Sequence, residues 1–151
     1  MITNRKKLLI VDDSEIDREI LKNILGDEFQ IIEAYNGYDG LEIILKREEH
    51  LDGILLDVSM PVLDGFSVLR VMRENNIKYI PVFLITAEAT KDNVVRAAEY
   101  NVSEFIVKPF ERDKVLKRIY YKLGIVSNQE LAEKDIEEIN TYIYITNGSC
   151  L

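Results

Sequence analysis

Gly53-Ile54-Leu55-Leu56-Asp57 is a short apolar run closed by an acid, and the pattern recurs along the chain. Leu8-Leu9-Ile10-Val11 ends at Asp12-Asp13, Val82-Phe83-Leu84-Ile85 at Thr86, and Phe105-Ile106-Val107 at Lys108. Apolar runs of this length bounded by polar residues read as buried strands. The run before Asp57 is apolar throughout and reads as a central strand. In an open parallel sheet, the strand ends that carry chemistry are the carboxyl ends. Acids, a hydroxyl and an amine therefore converge on one rim.

Helical patterns separate the runs. Ser14 is an N-cap candidate with Asp17 in the first turn, ahead of a helix carrying Ile16, Ile20, Ile24 and Leu25 on one side and stopped by Gly26. Residues 29 to 34 make the second strand, and Asn36-Gly37 reads as a turn. Leu41, Ile44 and Leu45 mark a second helix. Phe66, Leu69, Val71 and Met72 mark a third, and Val94, Val95, Ala97 and Ala98 a fourth. Val115, Leu116, Ile119 and Leu123 line a fifth, which Gly124 can end. Pro81 opens the fourth strand, a tolerated place for proline. Alternating units of this kind imply an α/β fold, a parallel sheet covered by helices on both faces.

The residue types at the rim define a chemistry. Three carboxylates close together repel unless a cation sits among them. Mg2+ takes oxygen ligands, few of them from protein. A carboxylate beside that ion can attack phosphorus and form an aspartyl phosphate. A lysine and a hydroxyl can then grip the phosphoryl oxygens.

At these residues the chain resembles the receiver domain of bacterial two-component response regulators, the chemotaxis-regulator type. The resemblance rests on Val11-Asp12-Asp13-Ser14, Leu56-Asp57-Val58-Ser59-Met60-Pro61-Val62-Leu63-Asp64-Gly65, Ile85-Thr86-Ala87-Glu88 and Phe105-Ile106-Val107-Lys108-Pro109-Phe110. It covers about residues 5 to 123, leaving 124 to 151 as a tail or linker. It implies a doubly wound, flavodoxin-like sheet of five strands in the order 2-1-3-4-5. It implies Asp57 as phosphoacceptor, and Asp12, Asp13, Asp57 and the Ser59 backbone carbonyl around Mg2+, Asp12 largely through water. Thr86 and Lys108 would hold the phosphoryl group, and Lys108-Pro109 would be cis. Thr86 and Phe105 would form the switch, with phenylalanine where several members carry tyrosine. Ser59 and Glu88 occupy positions that tune phosphate lifetime in the family. The implied donor is a sensor histidine kinase or phosphotransfer protein. The implied signalling face comprises the fourth helix, fifth strand and fifth helix, which would engage a target or a second copy. The module would be a switch that assists its own phosphotransfer and dephosphorylation.

Composition agrees with these expectations. A chain of 151 residues, 47% hydrophobic and 30% charged, can bury a sizeable core. The net charge of −8 argues against nucleic-acid binding. No apolar run approaches the roughly 18 residues of a membrane span, and the run before Asp12 is too short for a signal-peptide core. One cysteine, Cys150, suits a reducing cytoplasm. His50 lies in a polar connection and reads as solvated. Arg5-Lys6-Lys7 is too short for a nucleic-acid patch.

Two rival chemistries fit less well. A phosphatase of the haloacid dehalogenase type needs Asp-x-Asp after its first strand, but Asp12 and Asp13 are adjacent. A flavodoxin-like cofactor binder needs a Gly-, Ser- or Thr-rich loop there; Asp12-Asp13 repels phosphate without a metal.

The tail forms a separate pattern. Ser127-Asn128-Gln129-Glu130 reads as a capping box, followed by a helical stripe of Ala132, Ile136, Ile139 and Ile143. Five acids and one lysine lie between Glu130 and Glu138, and Thr141 to Thr146 alternates like a strand. Such a tail suits an appendix, a dimer contact or, the first choice, a linker cut from a longer protein.

Overall fold

The computed structural model of the chain describes residues 4 to 125. The expectations for Ser127 to Glu130, the stripe beyond them, the strand over Thr141 to Thr146 and Cys150 lie outside the described residues.

The apolar runs form five parallel strands: β1 (Lys7–Val11), β2 (Gln30–Ala34), β3 (Gly53–Asp57), β4 (Val82–Thr86) and β5 (Glu104–Val107). They pair in the order β2-β1-β3-β4-β5. Five helices connect and follow them: α1 (Glu15–Leu25), α2 (Gly37–Lys46), α3 (Gly65–Glu74), α4 (Lys91–Glu99) and α5 (Arg112–Leu123). Side chains alternate across each strand, so β1 sends Leu9 and Val11 to one core and Leu8 and Ile10 to another. The first core is closed by α2, α3 and α4, the second by α1 and α5. Strands β3 and β4 are buried at every position, as central strands covered on both sides must be.

Local signals set the helix ends. Ser14 Oγ accepts from the Asp17 N–H at 3.2 Å, the N-cap read from the sequence. Asn36, expected in a turn, is instead the N-cap of α2, its side chain accepting from the Asp39 N–H at 2.8 Å. Asp64 caps α3 in the same way through the Ser67 N–H, and Thr90 caps α4 through the Asn93 N–H. Gly124 ends α5 at φ 68°, the left-handed conformation that glycine adopts without penalty.

Several apolar positions face outward, contrary to expectation. On α1 the inward stripe is Arg18, Leu21, Ile24 and Leu25, whereas Ile16 is 73% exposed and Ile20 39%. Arg18 takes the inward position because its guanidinium reaches the Asp12 carbonyl, which turns Ile16 and Ile20 to the outer shoulder. Leu45 and Val95 are also exposed, one position beyond the inward residues Ile44 and Val94. Val71, Leu116 and Leu123 are half-buried at the core margins. Strands β2 and β4 each start one residue later than expected, at Gln30 and Val82. The Pro81 carbonyl still accepts from the Ile54 N–H at 2.9 Å, just ahead of β4.

Candidate functional site

The register of β1 against β3 pairs Val11 with Leu56, so the acids that follow meet on one rim. Asp12, Asp13 and Asp57 each offer a carboxylate oxygen, and these atoms all lie within 4.8 Å of one another. Asp12 and Asp57 are buried while Asp13 faces solvent. Backbone donors aim the two buried acids: the Ser14 N–H bonds Asp12 Oδ1 at 2.9 Å and the Ser59 N–H bonds Asp57 Oδ1 at 3.0 Å. Asp12 Oδ2 is buried without a hydrogen-bond partner. Lys108 Nζ stands 3.6 Å from it, an ion-pair separation beyond hydrogen-bond reach.

Gly65 explains part of the motif physically. Its amide donates to the Val58 carbonyl at 3.0 Å. A Cβ there would lie 2.5 Å from the Asp57 carbonyl oxygen and 3.0 Å from Val58 Cα. The start of α3 therefore packs directly on the backbone that carries Asp57, and any side chain at residue 65 would displace it.

Lys108 leaves the end of β5 through a cis peptide to Pro109. Its ammonium lies 3.4 Å from Asp57 Oδ2 and 2.7 Å from Asp17 Oδ2. Thr86, at the end of β4, bonds the loop that follows it: its hydroxyl donates to the Glu88 carbonyl at 2.9 Å and accepts from the Glu88 N–H at 3.2 Å. Phe105 is fully buried in the core beneath α4. His50 is exposed, its Nε2 3.1 Å from Asp52 Oδ1, as a solvated loop residue should be.

The acids are under electrostatic tension. Burial first, and then the charge of Asp12, push the Asp57 carboxyl up to about 7, against the pull of the Ser59 N–H and of Lys108. For Lys108, burial opposes the charge. The Asp17 hydrogen bond and the attraction of Asp57, Asp12 and Asp17 outweigh it, and the ammonium is held above its ordinary range. A cluster with a raised carboxyl, an orphaned buried oxygen and an exposed acid fits a small hard cation, which would relieve the repulsion and supply the missing partner.

Two residues of the site escaped the sequence reading. Arg18 is buried, donates to the Asp12 carbonyl at 2.8 Å, pairs with Glu33 at 3.3 Å and stacks over Tyr35 at 4.4 Å. Asp17, read only as a first-turn acid, makes the shortest ion pair of Lys108. A charged residue at an inward helical position was the available signal for Arg18; nothing local marked Asp17 as the partner of a lysine 91 residues away.

Comparison with known proteins places this geometry. The family model of the response regulator receiver domain matches residues 8–120. Chemotaxis protein CheY of Pseudomonas aeruginosa is 34% identical over 116 residues, covering 75% of this chain and 92% of that protein. Sensor histidine kinase CheAY of Helicobacter pylori is 34% identical over 105 residues, 68% of this chain; the match spans only 13% of that longer protein. Among solved structures, the CheX–CheY–BeF3–Mg2+ complex of Borrelia burgdorferi has a TM-score of 0.71 at 30% identity, covering 81% of this chain and 90% of its own. The haloacid dehalogenase and cofactor-binder alternatives fall with these matches. The chain belongs to the response regulator receiver domain family, the CheY-like modules of two-component signalling.

Proposed function

We propose that Asp57 accepts a phosphoryl group from a sensor histidine kinase or phosphotransfer protein in a Mg2+-dependent reaction. The observation that carries this reading is the convergence of three carboxylate oxygens within 4.8 Å, with Lys108 Nζ 3.4 Å from Asp57. Asp13, Asp57 and the Ser59 carbonyl would hold the metal, Asp12 acting largely through water. Mg2+ supplies charge neutralisation for the attacking carboxylate and the transferred oxygens. An Asp57 carboxylate oxygen forms the new bond to phosphorus as the donor's bond breaks, and the donor leaves with its electron pair. Lys108 then pairs with a phosphoryl oxygen. Thr86 donates its hydroxyl to another, giving up the Glu88 carbonyl. The same groups would assist attack by water when the acyl phosphate is hydrolysed, which makes the module a self-assisting switch and not a turnover enzyme.

The readout would run through the loop after Thr86. A ligand shifts a two-state element only by its differential contacts, and the Thr86–Glu88 bond is a contact that phosphorylation would exchange for another. Phe105 packs inward here, and the movement of residues 87 to 90 would be sensed at that ring and at the face of α4, β5 and α5. That face would bind the target or a second copy. Residues 5 to 123 form this module in our reading, with 124 to 151 as tail or linker, and the setting is the cytoplasm.

The test is intact-mass spectrometry after incubation with acetyl phosphate and Mg2+. The reading predicts one added phosphoryl group in the native protein and none in Asp57→Asn. Single phosphorylation that persists in Asp57→Asn and maps elsewhere would overturn the assignment.

A further inference from the structure

Asp17 is not one of the acids at a strand end. It sits in the first turn of α1, held by the Ser14 cap through its own N–H, and reaches the site from the side. Its Oδ2 lies 2.7 Å from Lys108 Nζ, against 3.4 Å for Asp57 and 3.6 Å for Asp12. Charge-assisted bonds of about 2.7–2.9 Å are the strong ones. The lysine therefore spends its best bond on an acid outside the metal cluster. Asp17 and Lys108 are each about a quarter exposed at the side chain, 22% and 24%, so the pair is neither deeply buried nor free in water.

We propose that Asp17 is a positioning residue that parks Lys108 and competes with the phosphoryl group of Asp57 for its ammonium. The proposal deepens the phosphoacceptor reading and rests on it. In the resting state the lysine is shared among three carboxylates and committed most closely to Asp17. Productive phosphorylation requires it to turn from Asp17 toward the new phosphoryl oxygens. Asp17 thus sets a threshold: it lowers the affinity of the Lys108 side chain for the phosphorylated state without touching the reacting atoms.

The consequence is a coupling that can be measured. Removing the carboxylate from residue 17 strengthens the grip of Lys108 on a phosphoryl mimic by about two- to fivefold, the range expected of a partly exposed ion pair. The effect must pass through the lysine, so it disappears when the lysine is absent. A double-mutant cycle isolates that dependence.

The experiment is binding of beryllofluoride with saturating Mg2+, followed by amide NMR shifts, in the native protein, Asp17→Asn, Lys108→Ala and the double variant. Asp17→Asn keeps size and helix position; Asp17→Ser is a second variant should the first fold poorly. The expected result is a two- to fivefold tighter affinity from Asp17→Asn in the Lys108 background, about unchanged affinity in the Lys108→Ala background, and native affinity restored by Asp17→Glu. Equal tightening in both backgrounds would mean that residue 17 acts as a general negative charge, and would overturn the proposal. Unchanged or weaker affinity in Asp17→Asn would overturn it too. If the native protein binds no beryllofluoride and takes up no phosphoryl group, the phosphoacceptor reading fails first and the proposal falls with it.

Discussion

Two buried acids stand at opposite ends of the sheet. Asp57 closes β3 at the carboxyl rim and is 4% exposed; Glu104 opens β5 at the amino rim and is 3% exposed. Burial raises both carboxyls, yet their neighbours differ in sign. Asp12 raises Asp57 further against the pull of the Ser59 N–H and Lys108, while at Glu104 the charged neighbours are the cations Lys122 and Arg118, which oppose the rise. Glu104 lines a cavity of about 340 Å³ beside Lys122 and Tyr100, whereas Asp57 sits against two more acids. Among the described residues, one buried acid has only cations as its charged neighbours, and they offset part of its burial. The other has one cation, Lys108, set against two further acids, so the acids outnumber the charge that could offset them, an arrangement that fits an added cation. Burial of a charge alone is therefore a poor marker of function; the sign of what surrounds it discriminates.

The comparison can be broken first at its scaffold. Gly65→Ala forces a Cβ against the Asp57 carbonyl and should cost about 3 kcal/mol of stability, the upper end of the range for overpacking. Chemical denaturation reads the loss, and beryllofluoride binding should weaken with it. A neutral Gly65→Ala would mean that the rim backbone is softer than its contacts imply.

Next in size is the pH dependence of the two acids. A carboxyl raised in the folded state destabilises the protein as pH climbs from the ordinary carboxylate range through its folded value. For metal-free Asp57 that window runs from about pH 4 to about pH 7, the folded value to which it is pushed. Asp57→Asn does not titrate. It should therefore be more stable than the native protein by up to a few kcal/mol at pH 8, and the advantage should vanish near pH 4. Glu104→Gln should gain less at pH 8, because Lys122 and Arg118 already stabilise the native carboxylate. Thermal melts across pH without Mg2+ test the order; a larger gain from Glu104→Gln would invert the comparison.

The smallest of these effects is at the metal. Asp13→Asn should weaken Mg2+ affinity by at least about tenfold, close to 1.4 kcal/mol, while leaving the metal-free fold as stable or slightly more so. Unchanged affinity in a titration would remove Asp13 from the ligand set.

Much of this was legible before the structure, and the residues show where legibility stops. Apolar runs closed by Asp12, Asp57, Thr86 and Lys108 marked β1, β3, β4 and β5, because buried strands need continuous apolar sequence. The caps at Ser14 and Gly124 were readable because capping is local. Gly65 was visible only as part of a motif; its reason is a long-range contact with the Asp57 backbone. On α1, helical spacing correctly turned Ile24 and Leu25 inward but wrongly joined Ile16 and Ile20 to them. What turns Arg18 inward is its reach to the Asp12 carbonyl, Glu33 and Tyr35, partners that only the assembled sheet supplies. Asp17 was opaque for the same reason, since its partner arrives from β5.

The most direct test of the acid-crowded rim is the titration of the Asp57 carboxyl by NMR, with Glu104 as the internal control. Without metal, Asp57 should titrate near 7, the value to which burial and Asp12 push it. Saturating Mg2+ should bring it down to the ordinary carboxylate range or below, and leave Glu104 where it was. An Asp57 that titrates as an ordinary carboxylate without metal, or that ignores Mg2+, would contradict the account.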